Sequence, residues 1–151
     1  MRRGTKVLVL FAVLAAVTLV AAPAASSQGG GATQLVVSGQ IPPGTTTGTL
    51  GPFGIWVWCE DPNASNPYAG ECAGSMYFYD LGLTKFVEDE EGTLSLTSTS
   101  FSVELVSRDG SIDCLVSGTT ANKGPSNTIS VDCSAPAGRS GTLSNVVVRI
   151  T

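Results

Sequence analysis

The stretch "FSVELVSRDGSIDCLVSGTTANKGPSNTISVDCS", Phe101–Ser134, decides the fold, because two of its features set strand register independently. Asp109-Gly110 is a two-residue hairpin signal, since both residue types tolerate the positive φ of a type I′ turn. A turn there puts Arg108 opposite Ser111, Leu105 opposite Cys114 and Val103 opposite Val116. Pairing Cys114 with Cys133 across the next hairpin puts Val116 opposite Val131 and Gly118 opposite Ile129, with a turn near Asn122-Lys123-Gly124. Side chains of a strand alternate between faces, and a one-residue slip would exchange them. In this register one face collects Phe101, Val103, Leu105, Ile112, Cys114, Val116, Ile129, Val131 and Cys133. The other collects Ser102, Glu104, Asp113, Ser117, Thr128, Ser130 and Asp132, with Val106 and Leu115 as apolar exceptions. The turn and the cysteine pair give the same sorting, so this segment reads as a three-stranded antiparallel sheet.

The same logic applies upstream to "GIWVWCEDPNASNPYAGECAGSMYFYD", Gly54–Asp80. Cys59 opposite Cys72 puts Val57 opposite Gly74 and Ile55 opposite Met76, with Phe78 continuing that face. The reverse face carries Trp56, Trp58, Tyr77 and Tyr79, with Ser75 and Ala73 across from the tryptophans. The disulfide then staples the mouth of a long loop rich in Pro and Asn, residues that suit turns. That loop holds Tyr68 and the sequence Asn63-Ala64-Ser65, which fits the N-glycosylation acceptor pattern and marks the loop as exposed.

Elsewhere, "TQLVVSG", "LTKFVED", "TLSLTS" and "NVVVRIT" are short runs of β-branched and aromatic residues between Gly, Pro, Asn and Ser clusters. No convincing amphipathic helix follows the leader. The expectation is an all-β chain: a single antiparallel β-sandwich, Ig-like in general plan, with two local cross-hairpin disulfides. The disulfides are Cys59–Cys72 and Cys114–Cys133. Zinc is the other use of four cysteines, but there is no histidine, and Cys-x12-Cys and Cys-x18-Cys are not the short spacings of structural zinc sites.

The N-terminus places the chain in an oxidising compartment. Arg2, Arg3 and Lys6 precede an apolar run from Val7 to Val20, and small residues follow, the order of a secretory signal peptide. The run is shorter than the roughly 20 apolar residues of a spanning helix. Residues 1–27 are read as a Sec-type signal cleaved between 24 and 27, residues 28–33 as a flexible tail, and residues 34–151 as the β-sandwich domain. The mature chain is expected to be secreted, with no membrane insertion. In general architecture it is similar to the neocarzinostatin-like apoproteins, small acidic exported β-sandwiches with two disulfides. The cysteine spacings differ from theirs, and no functional residue is carried over.

Removing the signal leaves five cations against twelve carboxylates, a net charge of −7. Such a chain repels phosphate backbones and anionic lipid, so nucleic acid is excluded as a partner. Without histidine, no Ser-His-Asp or Cys-His set can be built. Phosphate-loop and dinucleotide fingerprints are absent, and no cofactor is implied. Carboxylates remain. Glu104, Asp113 and Asp132 share the polar face, with Asp113 and Asp132 as diagonal neighbours about 7 Å apart. Such a pair suits glycoside hydrolysis or calcium, and it equally suits a solvated face. "EDEEG", Glu88 to Gly92, reads as a solvated turn. Glu60, Asp61 and Glu71, at the two ends of the stapled loop, are weak calcium candidates.

The aromatic hairpin face is the sharpest feature. Both faces of "GIWVWC" and "SMYFYD" are apolar, and one sheet usually buries only one of them. The aliphatic face, which contains the disulfide, is the better core candidate. Trp56, Trp58, Tyr77 and Tyr79, with Tyr68, then form an exposed platform suited to sugar rings or a protein surface. The expected function is a secreted, non-enzymatic binding or surface-interaction module for carbohydrate or protein. The rivals are a small hydrolase using Asp113 and Asp132 or Glu60 and Glu71, and a carrier of an apolar small molecule in a cleft lined by the tryptophans.

Overall fold

A computed structural model describes residues 34–41, 44–120 and 124–151. The signal segment, the tail and the turn residues Asn122 and Lys123 lie outside the described residues. The strands are β1 (Gln34–Gly39), β2 (Thr45–Thr46), β3 (Phe53–Glu60), β4 (Cys72–Phe78), β5 (Leu83–Asp89), β6 (Ser95–Leu96), β7 (Ser100–Ser107), β8 (Asp113–Thr119), β9 (Gly124–Ala135) and β10 (Arg139–Ile150). The only helical element among the described residues is a single 3₁₀ turn, Tyr79–Leu81.

The ladder runs β1-β3-β4-β5-β7-β8-β9-β10, and β10 pairs back onto β1 from Leu35↔Ile150 to Ser38↔Val147. Every pairing is antiparallel, and the eight strands close into a barrel. This corrects the expected sandwich. An open pair of sheets leaves strand edges unpaired, whereas closure removes them. The closing pair joins opposite ends of the described chain, so no local turn announces it.

Two strands of the ring are interrupted. β1 and β2 pair in turn with the same edge of β10. β5 pairs with β7 only at Val87↔Ser107 and Glu88↔Val106, and β6 resumes the contact at Ser95↔Ser102 and Leu96↔Phe101. Between them the acidic turn leaves the ladder. Buried Asp89 roots it, its carboxylate accepting backbone N–H bonds from Glu91 (3.2 Å), Thr93 (3.3 Å) and Leu94 (3.0 Å). The Thr93 hydroxyl accepts from the Glu104 N–H (3.2 Å), so the gap in the ladder is bridged by a side chain. Leu94 then returns to the core.

The registers expected from the sequence are those observed: Leu105↔Cys114 and Val103↔Val116, then Cys114↔Cys133, Val116↔Val131 and Gly118↔Ile129. In the upstream hairpin Cys59↔Cys72, Val57↔Gly74 and Ile55↔Met76 pair, and both disulfides form as expected. The Asp109-Gly110 turn differs in type. Gly110 has φ 69°, but Asp109 does not take a positive φ. Ser107 and Ile112 close a wider loop through Ser107 N–H to Ile112 O (2.8 Å). The Asp109 carboxylate accepts from the Ser111 N–H (3.1 Å) and hydroxyl (2.6 Å), and this side-chain bonding takes over the work of a positive φ. The loop gains one residue on each strand, so the register is unchanged.

The alternation is apolar inward. All nine residues expected on the inner face of the β7-β8-β9 sheet are buried, and one contiguous core also takes Leu35, Val37, Phe53, Ile55, Val57, Met76 and Phe78. Val106 and Leu115 are exposed, as the register requires. A membrane barrel shows the reverse, apolar outside and polar within. Among the described residues, no helix is long and apolar enough to cross a membrane. Two disulfides agree with an extracellular, oxidising location.

Candidate functional site

The β3-β4 hairpin resolves its two apolar faces by turning the aliphatic one inward. Ile55, Val57, Cys59, Cys72, Met76 and Phe78 are buried. The aromatic set stands on the outer surface of the barrel. Trp56 is 50% exposed, Trp58 and Tyr77 are half-buried, and Tyr68 is exposed on the stapled loop. Tyr79 does not continue the strand, as β4 ends at Phe78 and Tyr79 opens the 3₁₀ turn. Its ring still stacks on Tyr77, with centroids 6.0 Å apart and planes 19° apart.

Cross-strand register arranges this surface in rows. One row is Ser38–Trp56–Ser75–Phe86, across β1, β3, β4 and β5. The next is Val36–Trp58–Ala73–Glu88. In each row a small residue of β4, Ser75 or Ala73, stands beside an indole. Phe86, 60% exposed, belongs to the platform and was missed from the sequence. The signal was present: in "LTKFVED" it shares parity with Thr84 and Glu88, which face outward.

The stapled loop is ordered by its own side chains. The Asp61 carboxylate accepts from the Asn63 N–H (2.7 Å), and Asn66 Oδ1 accepts from the Tyr68 N–H (2.8 Å). The Cys59–Cys72 bond closes its mouth. This brings Tyr68 over the end of the aromatic rows. Trp58, Tyr68, Ala73, Glu71, Glu88 and Glu90 line a cleft of about 370 Å³ between the loop and the acidic turn. On the other side of that turn, Glu88, Glu91, Glu104 and Arg108 line a second depression of about 320 Å³.

The weak calcium candidates do not converge. Glu60 and Glu71 meet through the backbone, Glu60 N–H to Glu71 O (2.9 Å). Their side chains part: Glu60 is buried and accepts from Gln34 Nε2 (2.7 Å), Asp61 caps the loop, and Glu71 is exposed beside the cleft. Among the described residues no three ligand-type side chains come together as a metal site. Glu104, Asp113 and Asp132 do gather, around a depression of about 260 Å³ that also contains Leu115. The Asp113 carboxylate, and then partial desolvation, push the Glu104 carboxyl above its ordinary value. Like charges so placed disfavour ionisation.

Compared with known proteins, the chain matches no family model, no curated protein and no solved structure.

Proposed function

We propose that this protein is a secreted, non-enzymatic binding module that holds a carbohydrate, or failing that a protein surface, through the outer face of β3, β4 and β5. The observation that carries this reading is the pair Trp56 and Phe86. Both rings are at least half exposed and both flank Ser75, on strands whose other face already fills the core. Large exposed aromatic surface costs free energy in water, and a partner that covers it recovers that cost. A flat indole stacks on the C–H face of a sugar ring while its N–H remains free to donate.

The rivals fit less well. A carrier of an apolar molecule needs its rings in a concavity, whereas these stand on the outside of a barrel whose interior is occupied by Phe53, Phe78 and Met76. A hydrolase has two candidate pairs: the side chains of Glu60 and Glu71 part, and Asp113 and Asp132 lie on β8 and β9, strands that the aromatic rows do not include. The leader with Arg2, Arg3 and Lys6 supports export. The test is a glycan array and an envelope pull-down with the mature protein, Trp56→Ala and Phe86→Ala. Binding by the parent that both variants lose supports the reading. Binding that survives both substitutions removes this face from the function.

A further inference from the structure

We propose that the cleft beside Trp58 takes an alkylammonium group, presented by an amino sugar unit of the carbohydrate bound on the aromatic face. This rests on the reading of that face as a carbohydrate-binding surface. The cleft, about 370 Å³, combines two aromatic side chains, Trp58 and Tyr68, with the carboxylates of Glu71, Glu88 and Glu90. No lysine or arginine lines it. The two ion pairs among the described residues, Lys85–Asp109 and Arg139–Asp80, involve none of these carboxylates. Neighbouring Asp89 has its oxygens engaged by three backbone N–H groups, so the carboxylates left to accept from a ligand are those of the three glutamates.

Aromatic faces and carboxylates share one complementary partner. A ring quadrupole attracts a cation over its face, and the effect grows when the cation is desolvated. Carboxylates accept the ammonium N–H bonds at the same time. In the row Trp58–Ala73–Glu88 the short Ala73 side chain leaves a slot between indole and carboxylate. A neutral sugar would leave that charge unanswered.

An amino sugar fits better than a lysine-bearing peptide. Peptides that bind a sheet through their own backbone add a strand at a free edge. Here β3 and β4 are paired on both sides, so their surface offers side chains only. The neighbouring row, Trp56–Ser75–Phe86, lies two residues along the strands, about 7 Å away. It supplies an uncharged place with two aromatic rings for an adjoining ring of the same oligomer.

The experiment measures binding of the mature protein to a glucosamine oligomer and to its fully N-acetylated counterpart at low and high salt. Glu88→Gln, Glu90→Gln and Trp56→Ala are run alongside. The expected result is that the free-amine oligomer binds about tenfold or more tightly than the acetylated one. High salt and either Glu→Gln variant should shrink that difference, while Trp56→Ala weakens both oligomers. Equal binding of the two oligomers overturns the ammonium assignment and leaves the carbohydrate face standing. Binding of neither, with neutral glycans still held through Trp56, does the same. Failure to bind any glycan overturns both. An oligolysine peptide that binds as tightly as the free-amine oligomer overturns the sugar as the source of the cation.

Discussion

Trp56 and Phe86 stand on one row of the outer barrel surface with only Ser75 between them. They belong to different strands, and each side chain is at least half exposed. Truncating them should therefore cost little stability. Trp56→Ala and Phe86→Ala are each expected to lower unfolding free energy by less than about 1 kcal/mol. Phe53 and Phe78, fully buried with ring centroids 5.1 Å apart, are the contrast. Phe53→Ala or Phe78→Ala should cost about 3–5 kcal/mol. Denaturant melts of the four variants check this. A loss of the larger size at Trp56 would return the indole to a structural role.

The disulfides are separable in effect. Cys59–Cys72 closes a loop of sequence separation 13 and Cys114–Cys133 one of 19. By chain entropy each stabilises by about 3 kcal/mol. Peptide mapping of the unreduced protein should recover these two links and no others. In a Cys59→Ala/Cys72→Ala protein, limited proteolysis should cut first within residues 61–70, which have little core of their own. Cleavage elsewhere first would show that the loop does not depend on its staple.

Acid sensitivity should trace in part to Asp109. Its carboxylate pairs with Lys85 Nζ (2.6 Å) and accepts from Ser111 and Ser107, which together hold its pKa well below the ordinary 3.8. A carboxyl depressed in the folded state stabilises above its unfolded pKa and loses that contribution as pH falls through the folded one. Asp109→Asn should thus lower Tm at pH 7, and the gap from the parent should narrow steadily below about pH 4. The pair is solvent-exposed, so added salt should also narrow it. A gap that widens in acid would contradict the assignment.

Glu104 should behave in the opposite sense. Its carboxyl is raised by Asp113, so the favourable, protonated state is lost as pH rises through the folded pKa. At pH 7 the parent carries the repulsion in full. Glu104→Gln should raise Tm at pH 7 and have no such effect below about pH 4. A lower Tm at pH 7 would mean that the carboxylate has a favourable partner.

Gly74 is required by the close approach of β3 and β4. It faces Val57, and a Cβ built there would overlap the Trp56 carbonyl oxygen and lie 2.6 Å from Val57 Cα. These are backbone atoms and cannot swing aside. Gly74→Ala should cost at least about 1–3 kcal/mol and disturb the two rows that contain Trp56 and Trp58 with it. Thermal melts and tryptophan fluorescence report the two effects together.

Sequence alone determined the local pairings. Cys59 against Cys72, Leu105 against Cys114 and Cys114 against Cys133 could be read because each hairpin is short-range and strand faces alternate with period 2. Val106 and Leu115 were correctly placed outside by that parity. What lay beyond it was long-range. Leu35↔Ile150 closes the barrel across nearly the whole described chain, and no turn chemistry encodes that contact. The excursion rooted on Asp89 breaks one strand into β5 and β6, yet its acidic residues read only as a solvated turn. The choice between the two apolar faces of the β3-β4 hairpin also belonged to the tertiary structure. Both faces satisfy the same alternation; the disulfide on the aliphatic face favoured it as core, and packing within the closed ring decided it. That closure turned Ile55 and Val57 inward, left Trp56 beside Phe86 in solvent, and set Trp58 facing Glu88 across Ala73.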